Sequence, residues 1–444
     1  MTIPKGASLT RVYAKISRPV QFFFAVAALF LISACTTDMG HYLPWASPNT
    51  GVVTNDPDKL PDIAWQTSNQ RQTLNRQSDD IAARPALQTV DGAAPEVPVR
   101  KVNAAILLPL TGKNADLGQA MLKAAQMALF DVGSAGFELQ PHDTQSTREG
   151  AVAAAQEVLA ENPDIILGPI FADDLKAIKP VLSGSRAPVL SFTTDWTLAG
   201  GNVYVMGFMP FTQVARVAQY AQSKGMSRVA FFAPQTPYCD IVLDTLKKSG
   251  ANVTLTERYA PNQSDLSTQV QDFVKRNKTE QGLSFDALFL PVGGEGLKSL
   301  ASLFDLQGVR TGAVRFLGTG LWDDASLNKD PALFGGLYAA PDPRLRRDFE
   351  TRYQDNYGMA PPRLASLAYD STALAAVLSH TGDTTDSPYS TPKLTNPRGF
   401  AGIDGIFRFR PDGLVDRGLA VLEVQSGQSK MVDPAPTAFI GSGS

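Results

Sequence analysis

Groups able to do covalent chemistry are few in this sequence and badly placed for one another. Three histidines, His41, His142 and His380, and two cysteines, Cys35 and Cys239, are scattered over 444 residues. A nucleophilic triad needs nucleophile, base and orienting acid in contact. His41 falls in a Pro-rich stretch, His142 just after a predicted strand and His380 at a helix end, and there is no G-x-S-x-G elbow. A structural zinc site wants four Cys or His ligands at set spacing, and none is visible. Gly293-Gly294-Glu295-Gly296-Leu297-Lys298-Ser299 lacks both the four-residue gap and the Lys directly after the last Gly of a phosphate loop. Ser326 with Lys329, and Ser390 with Lys393, match S-x-x-K without a following K-T-G. The acid pairs Asp173-Asp174 and Asp323-Asp324 suit helix openings, where the positive dipole end favours them. Cys239 has no histidine near it in sequence and reads as a small packed residue. These residues argue for no catalysis, no metal and no cofactor.

What remains is non-covalent recognition, which depends on the elements that carry the loops. Hydrophobic residues make up 43% and charged residues 19% of the chain, with a net charge of −3. That is enough apolar material for a packed globule and too little positive charge for a nucleic-acid binder. From Val102 onward, short apolar runs such as Ala104–Leu108 alternate with helical stripes such as Leu117, Met121, Ala124, Ala125 and Ala128. Further strands are expected at 164–167, 188–192, 203–206, 228–232, 253–259, 287–291 and 314–317. Helices are expected between them, several stopped by Gly. Such alternation gives α/β architecture with mostly parallel sheets covered on both faces. The units are too many for one sheet, so two doubly wound lobes with a hinge and a cleft are expected. Lobe one is expected to take residues 101–209 and 335–400, and lobe two 210–334 and 401–433, followed by a tail over 434–444. Pro411-Asp412-Gly413 is a hairpin signal near the end.

The amino terminus differs. Lys5, Arg11, Lys15 and Arg18 precede an apolar run from Phe22 to Ile32, 11 residues, which is too short to span about 30 Å of hydrocarbon. Leu31-Ile32-Ser33-Ala34-Cys35 resembles the lipobox of bacterial lipoproteins. The resemblance implies removal of residues 1–34, lipid attachment at Cys35 and a periplasmic location. Thr36, where Asp would favour inner-membrane retention in the enterobacterial type, leans toward the outer membrane. Residues 36–100 lose all periodicity and carry seven prolines. They read as a disordered tether with an end-to-end distance on the order of 45 Å, with Trp45 and Trp65 as isolated apolar exceptions.

Several segments together resemble the type I periplasmic binding proteins of the branched-chain-amino-acid kind. They are Leu108-Pro109-Leu110-Thr111-Gly112 with Gly118, Asp143-Thr144-Gln145, Gly168-Pro169, Pro188-Val189-Leu190-Ser191 and Ala368-Tyr369-Asp370. The stretch Pro234–Asp240 is similar to the loop that opens a lobe-two helix, although many members have Gly in place of Cys239. The resemblance implies a ligand cleft lined in lobe one by Thr111, Asn114, Phe171, Ala172, Ser191, Phe192 and Thr193. In lobe two it implies Tyr238, Gly294 and Trp322. Asp240 and Asp323 are the lobe-two acids considered for an α-ammonium. Within the family, Ile106–Gly112, Leu117–Met121 and Ala128–Asp131 resemble the lipoprotein activators of penicillin-binding proteins.

Two functions of different class follow. The leading expectation is a lipoprotein that activates a penicillin-binding protein in peptidoglycan synthesis, which the tether favours. The other is a receptor delivering an amino acid or similar small molecule to an ABC transporter, and the cleft loops favour it. The expected partners are the membrane through acylated Cys35, a cell-wall synthase and a small-molecule ligand, with no nucleic acid.

Overall fold

Runs of branched and aromatic residues form the strands here, and alanine-rich stripes form the helices that cover them. The computed structural model describes residues 101–133, 136–310, 312–380 and 387–439. The leader, Cys35, the expected tether with His41, Trp45 and Trp65, and the end of the tail lie outside the described residues. No helix among the described residues is long and apolar enough to cross a membrane.

The first lobe starts with β1 (Val102–Leu108), α1 (Ala115–Val132), β2 (Phe137–Asp143), α2 (Arg148–Ala160), β3 (Ile165–Leu167), α3 (Ala172–Leu182), β4 (Val189–Ser191) and β5 (Val203–Val205). All five strands are parallel, in the order β2-β1-β3-β4-β5. Ile106, Leu107, Leu108 and all of β3 are fully buried, as a sheet covered on both faces requires.

The second lobe contains α4 (Pro210–Ser223), β6 (Val229–Pro234), α5 (Pro237–Lys248), β7 (Val253–Tyr259), α6 (Ser267–Arg276), β10 (Ala287–Phe289), α7 (Gly294–Leu306), β11 (Arg315–Gly318) and β12 (Leu337–Ala340). A short hairpin, β8 (Lys278–Thr279) and β9 (Gly282–Leu283), interrupts them. Strands β7-β6-β10-β11-β12 run parallel, and β16 (Ala420–Val424) and β17 (Ser429–Asp433) extend the sheet antiparallel beyond β12. One face of this sheet is aromatic. Phe232 meets Phe273 at 5.4 Å and Phe304 at 5.2 Å, both edge to face, the arrangement the ring quadrupoles favour.

The chain then returns to the first lobe. In α8 (Pro343–Tyr357) and α9 (Ala365–Ser379), Phe349, Tyr353, Tyr369 and Ala373 pack on Ala120, Ala124, Met127 and Ala128 of α1. After the short α10 (Thr391–Leu394) come β13 (Phe400–Gly402), β14 (Gly405–Phe409) and β15 (Val415–Arg417), a separate antiparallel sheet.

Two parts of the expected division are corrected. Residues 335–400 do not all return to lobe one, because β12 is bonded between β11 and β16. Its four residues are all buried, so it needs neighbours on both edges and cover on both faces. Nor do residues 401–417 belong to lobe two. The Pro411–Gly413 turn joins β14 to β15, and Phe400, Phe407, Phe409 and Val415 sit in the lobe-one core.

Both parallel sheets share one winding. In lobe one the order reverses direction between β1 and β3, and in lobe two between β6 and β10. Loops at the carboxyl ends of such strand pairs diverge to opposite faces and leave a crevice, the usual ligand position in open α/β sheets.

Candidate functional site

In lobe one the crevice lies between the loop after β1 and the start of α3. The first loop is held by Asp143 at the end of β2. Its carboxylate accepts from Leu110 N at 2.8 Å, Thr111 N at 3.1 Å, Thr111 Oγ1 at 2.6 Å and Gln145 N at 2.7 Å. Burial pushes this carboxyl up, but the bonds from Thr111, Gln145 and Leu110 outweigh it and leave it below the usual range. Gly112 has φ of +82°, and a Cβ there would lie 2.7 Å from Gln145 O, so the turn admits only glycine. Ser146 completes the clamp by donating to Thr111 O at 2.7 Å and accepting from Asn114 N at 3.1 Å. Thr111 is exposed and Asn114 half-buried at the crevice. Across it, Phe171 precedes Ala172, the first residue of α3, and this helix start has no side-chain cap.

Lobe two repeats the arrangement with other residues. After β6, Thr236 caps α5 by accepting from Cys239 N. Tyr238 donates its hydroxyl to Thr319 Oγ1 at 2.9 Å. Burial pushes the Tyr238 phenol up to about 12, against the opposing Thr319 bond, so it stays neutral. After β10, Gly294 opens α7 with φ of +57° and open space where a Cβ would be, and α7 too lacks a side-chain cap.

Four of the expected site residues are placed differently. Ser191 is fully buried and donates to Pro169 O at 2.9 Å. Phe192 belongs to the lobe-one core, and Thr193 is buried with Oγ1 accepting from Asp195 N at 3.1 Å. Trp322 is the clearest correction. It is 1% exposed, and its indole N–H is shared between Leu290 O at 3.2 Å and Val292 O at 3.0 Å. A Cβ on Gly318 would come within 2.2 Å of its ring and one on Gly336 within 2.6 Å, so the indole fills a slot that two glycines leave open. Of the expected site residues, Thr111, Asn114, Phe171, Ala172, Tyr238 and Gly294 keep solvent-exposed surface. Cys239 is buried with Sγ 3.9 Å from Pro291 O, and burial pushes its thiol up. Among the described residues no group of three or more His, Cys, Asp or Glu is placed to hold a metal ion.

The lobes are joined at 206–210, 340–343 and 417–420, and a polar nucleus lies between these crossings. Arg417 donates to Met206 O at 2.7 Å and lies 4.8 Å from the Phe208 ring. Arg363 stacks on the same ring at 4.1 Å and pairs with the fully buried Asp404 at 3.0 Å. Burial pushes Asp404 up, but Arg363 and Arg417 outweigh it and hold its carboxyl below the usual range. Burial and the neighbouring Asp404 raise Asp370, which accepts from Ile403 N at 2.7 Å. Asp323, just past β11, receives Arg346 Nη1 at 2.9 Å and Arg363 Nε at 3.7 Å, both from lobe one. A cavity of about 420 Å³ lies elsewhere, at the amino ends of β10, β11 and β12, lined among others by Tyr220, Asp286, Arg315 and Glu423.

The family model for periplasmic binding proteins matches residues 101–429, nearly all of this two-lobed region. The chain belongs to the periplasmic binding protein family. It is similar to a leucine-binding protein of Thermotoga maritima, 21% identical with a TM-score of 0.53, over 76% of this chain and 98% of that one. It is likewise similar to an ABC-transporter solute-binding protein of R. palustris solved with benzoate, 15% identical with a TM-score of 0.53, over 76% and 97% of the two chains. An uncharacterized protein of Rickettsia prowazekii is 22% identical over 177 residues, 39% of this chain. The match spans about half of that relative, 47%. The fold is thus the type I periplasmic binding protein fold.

Proposed function

We propose that this periplasmic binding protein is a solute receptor whose interlobe crevice takes a small carboxylate-bearing molecule. The observation that carries the reading is the matched pair of uncapped helix starts, Ala172 in α3 and Gly294 in α7, each beside a winding reversal. First-turn N–H groups and the dipole end favour an anion there. The named or bound ligands of the two solved relatives, leucine and benzoate, are both carboxylates. Lipid attachment through Cys35 and an outer-membrane lean complete the proposal for its location. Thermal-shift titration against amino acids and organic acids tests it. A true ligand at 100 times its Kd stabilises by about 2.7 kcal/mol. No shift from any member at millimolar concentration would sink the receptor reading.

A second reading, activation of a penicillin-binding protein, is favoured by one feature. Phe130 is 86% exposed on α1, within the Ala128–Asp131 segment that carries that resemblance. Under this reading Phe130→Ala weakens stimulation of a purified synthase and leaves ligand binding unchanged.

A further inference from the structure

An α-amino acid brings an ammonium as well as a carboxylate, and a buried ammonium needs a counter-charge to offset several kcal/mol of desolvation. At the crevice edge of lobe two, the described carboxylates are already engaged. Asp240 receives Arg258 at 2.7 Å, Glu295 receives Lys298 at 2.7 Å, and Asp324 caps Ser326 N at 2.8 Å. Asp323 is the best shielded of them, with 18% of its side chain exposed, and it holds two arginines of the other lobe. In lobe one, Asp143 is saturated by four donors, Asp173 receives Arg148 at 2.6 Å, and Asp195 receives Lys176 at 3.2 Å. Asp174, with one oxygen unpartnered, is 5% exposed and feels Arg148 and Lys113. An incoming ammonium would have to displace a cation from one of these pairs, reach past Arg148 to Asp174, or settle for Asp324 or Asp116, which lie exposed to water at the rim.

We propose that Asp323 is an inter-lobe tie held by Arg346 and Arg363 rather than a ligand group, so that the crevice selects carboxylic acids lacking an α-ammonium over amino acids. The tie has two effects. It removes the most shielded lobe-two acid from recognition, and it fastens the edge of β11 to the start of α8. Arg346 is itself braced by Glu350 at 2.9 Å, and Arg363 by Asp404, so both guanidiniums are pre-positioned when Asp323 arrives.

This inference rests on the receptor reading, and matched ligand pairs separate the two. Calorimetric titration of the purified chain would compare L-isoleucine with 3-methylpentanoate and L-phenylalanine with 3-phenylpropanoate. Binding of the amine-free partner at least tenfold tighter is the expected result. Equal or tighter binding of the amino acids overturns the selectivity and leaves the receptor reading standing. Binding of neither member of either pair overturns the selectivity, and the receptor reading falls with it only when the wider panel of amino and organic acids also gives no thermal shift. Arg346→Gln with Arg363→Gln frees Asp323 and should move the preference at least tenfold toward the amino acids. If the doubly changed chain does not fold by circular dichroism, Asp323→Asn serves instead. A tie predicts that Asp323→Asn leaves the affinity ratio of amine-free to amino acids unchanged, and a fall in amino-acid affinity alone would overturn the assignment of Asp323.

Discussion

Trp322→Phe separates a core tryptophan from a ligand-stacking one. The substitution keeps an aromatic ring against Tyr338, whose centroid is 6.4 Å away, but removes the indole N–H. Leu290 O and Val292 O then lose their shared donor inside the lobe-two core, at a cost of about 1–3 kcal/mol. The smaller ring also leaves a void beside Gly318 and Gly336, adding about 1 kcal/mol. The total of about 2–4 kcal/mol corresponds to a drop in Tm of roughly 3–6 °C for a region of this size. The assay is a thermal melt by circular dichroism, paired with ligand titration by calorimetry. Reduced Tm with unchanged affinity is the expected pair. An unchanged melt with affinity reduced tenfold would refute the core placement and restore Trp322 to the binding surface.

Three other changes test separate parts of the structure. Gly112→Ala, at φ of +82° and 2.7 Å from Gln145 O, should lower stability by more than about 1 kcal/mol and weaken ligand binding, measured by denaturant titration and calorimetry. Burial, with neighbouring Asp173, pushes Asp174 up to about 6 against Arg148 and Lys113. Its folded-state value exceeds the unfolded one, so its stability contribution is present below about pH 4 and lost as pH rises toward about 6, by at most about 3 kcal/mol; Asp174→Asn should flatten that part of the stability profile. Cys35→Ser should abolish palmitate incorporation in labelled cells, and continued labelling would dispose of the lipobox.

The strands and helices of both lobes were legible because each buried strand is a short apolar run closed by Gly, Pro or a polar cap. The turns after β1 and at the start of α7 were legible for a related reason. Gly112 and Gly294 mark turns that other residues cannot make or that leave open space, and Thr111 and Tyr238 flank such turns. Trp322 was misplaced because an aromatic just after a strand looks the same whether it points out or in. The distinguishing signal was Gly318 and Gly336, small residues on either side of a bulky one in sequence. The tie at Asp323 was invisible for another reason. Its partners are 23 and 40 positions further along and lie on the other lobe, so no periodicity or motif connects them. The displacement of β12 into lobe two reflects competition between sheets for one apolar strand, which local sequence cannot decide.

The packing of α1 under α8 and α9 sets the order in which the molecule can be completed. Ala124 and Ala128 are synthesised some 220 residues before Phe349 and Tyr353, which cover them. At about 5–20 residues per second the interval is on the order of 10–45 s. During that time all five strands of the first sheet exist, yet one helix on its surface has a bare apolar stripe. The second lobe is likewise unfinished until β16 and β17 emerge near the end. Neither half is therefore an independent product of the growing chain. A nascent chain halted before residue 343 would be a natural client for holding chaperones, which bind such stripes. The interleaving that places three crossings at the hinge also makes the last quarter of the sequence the step that closes both lobes.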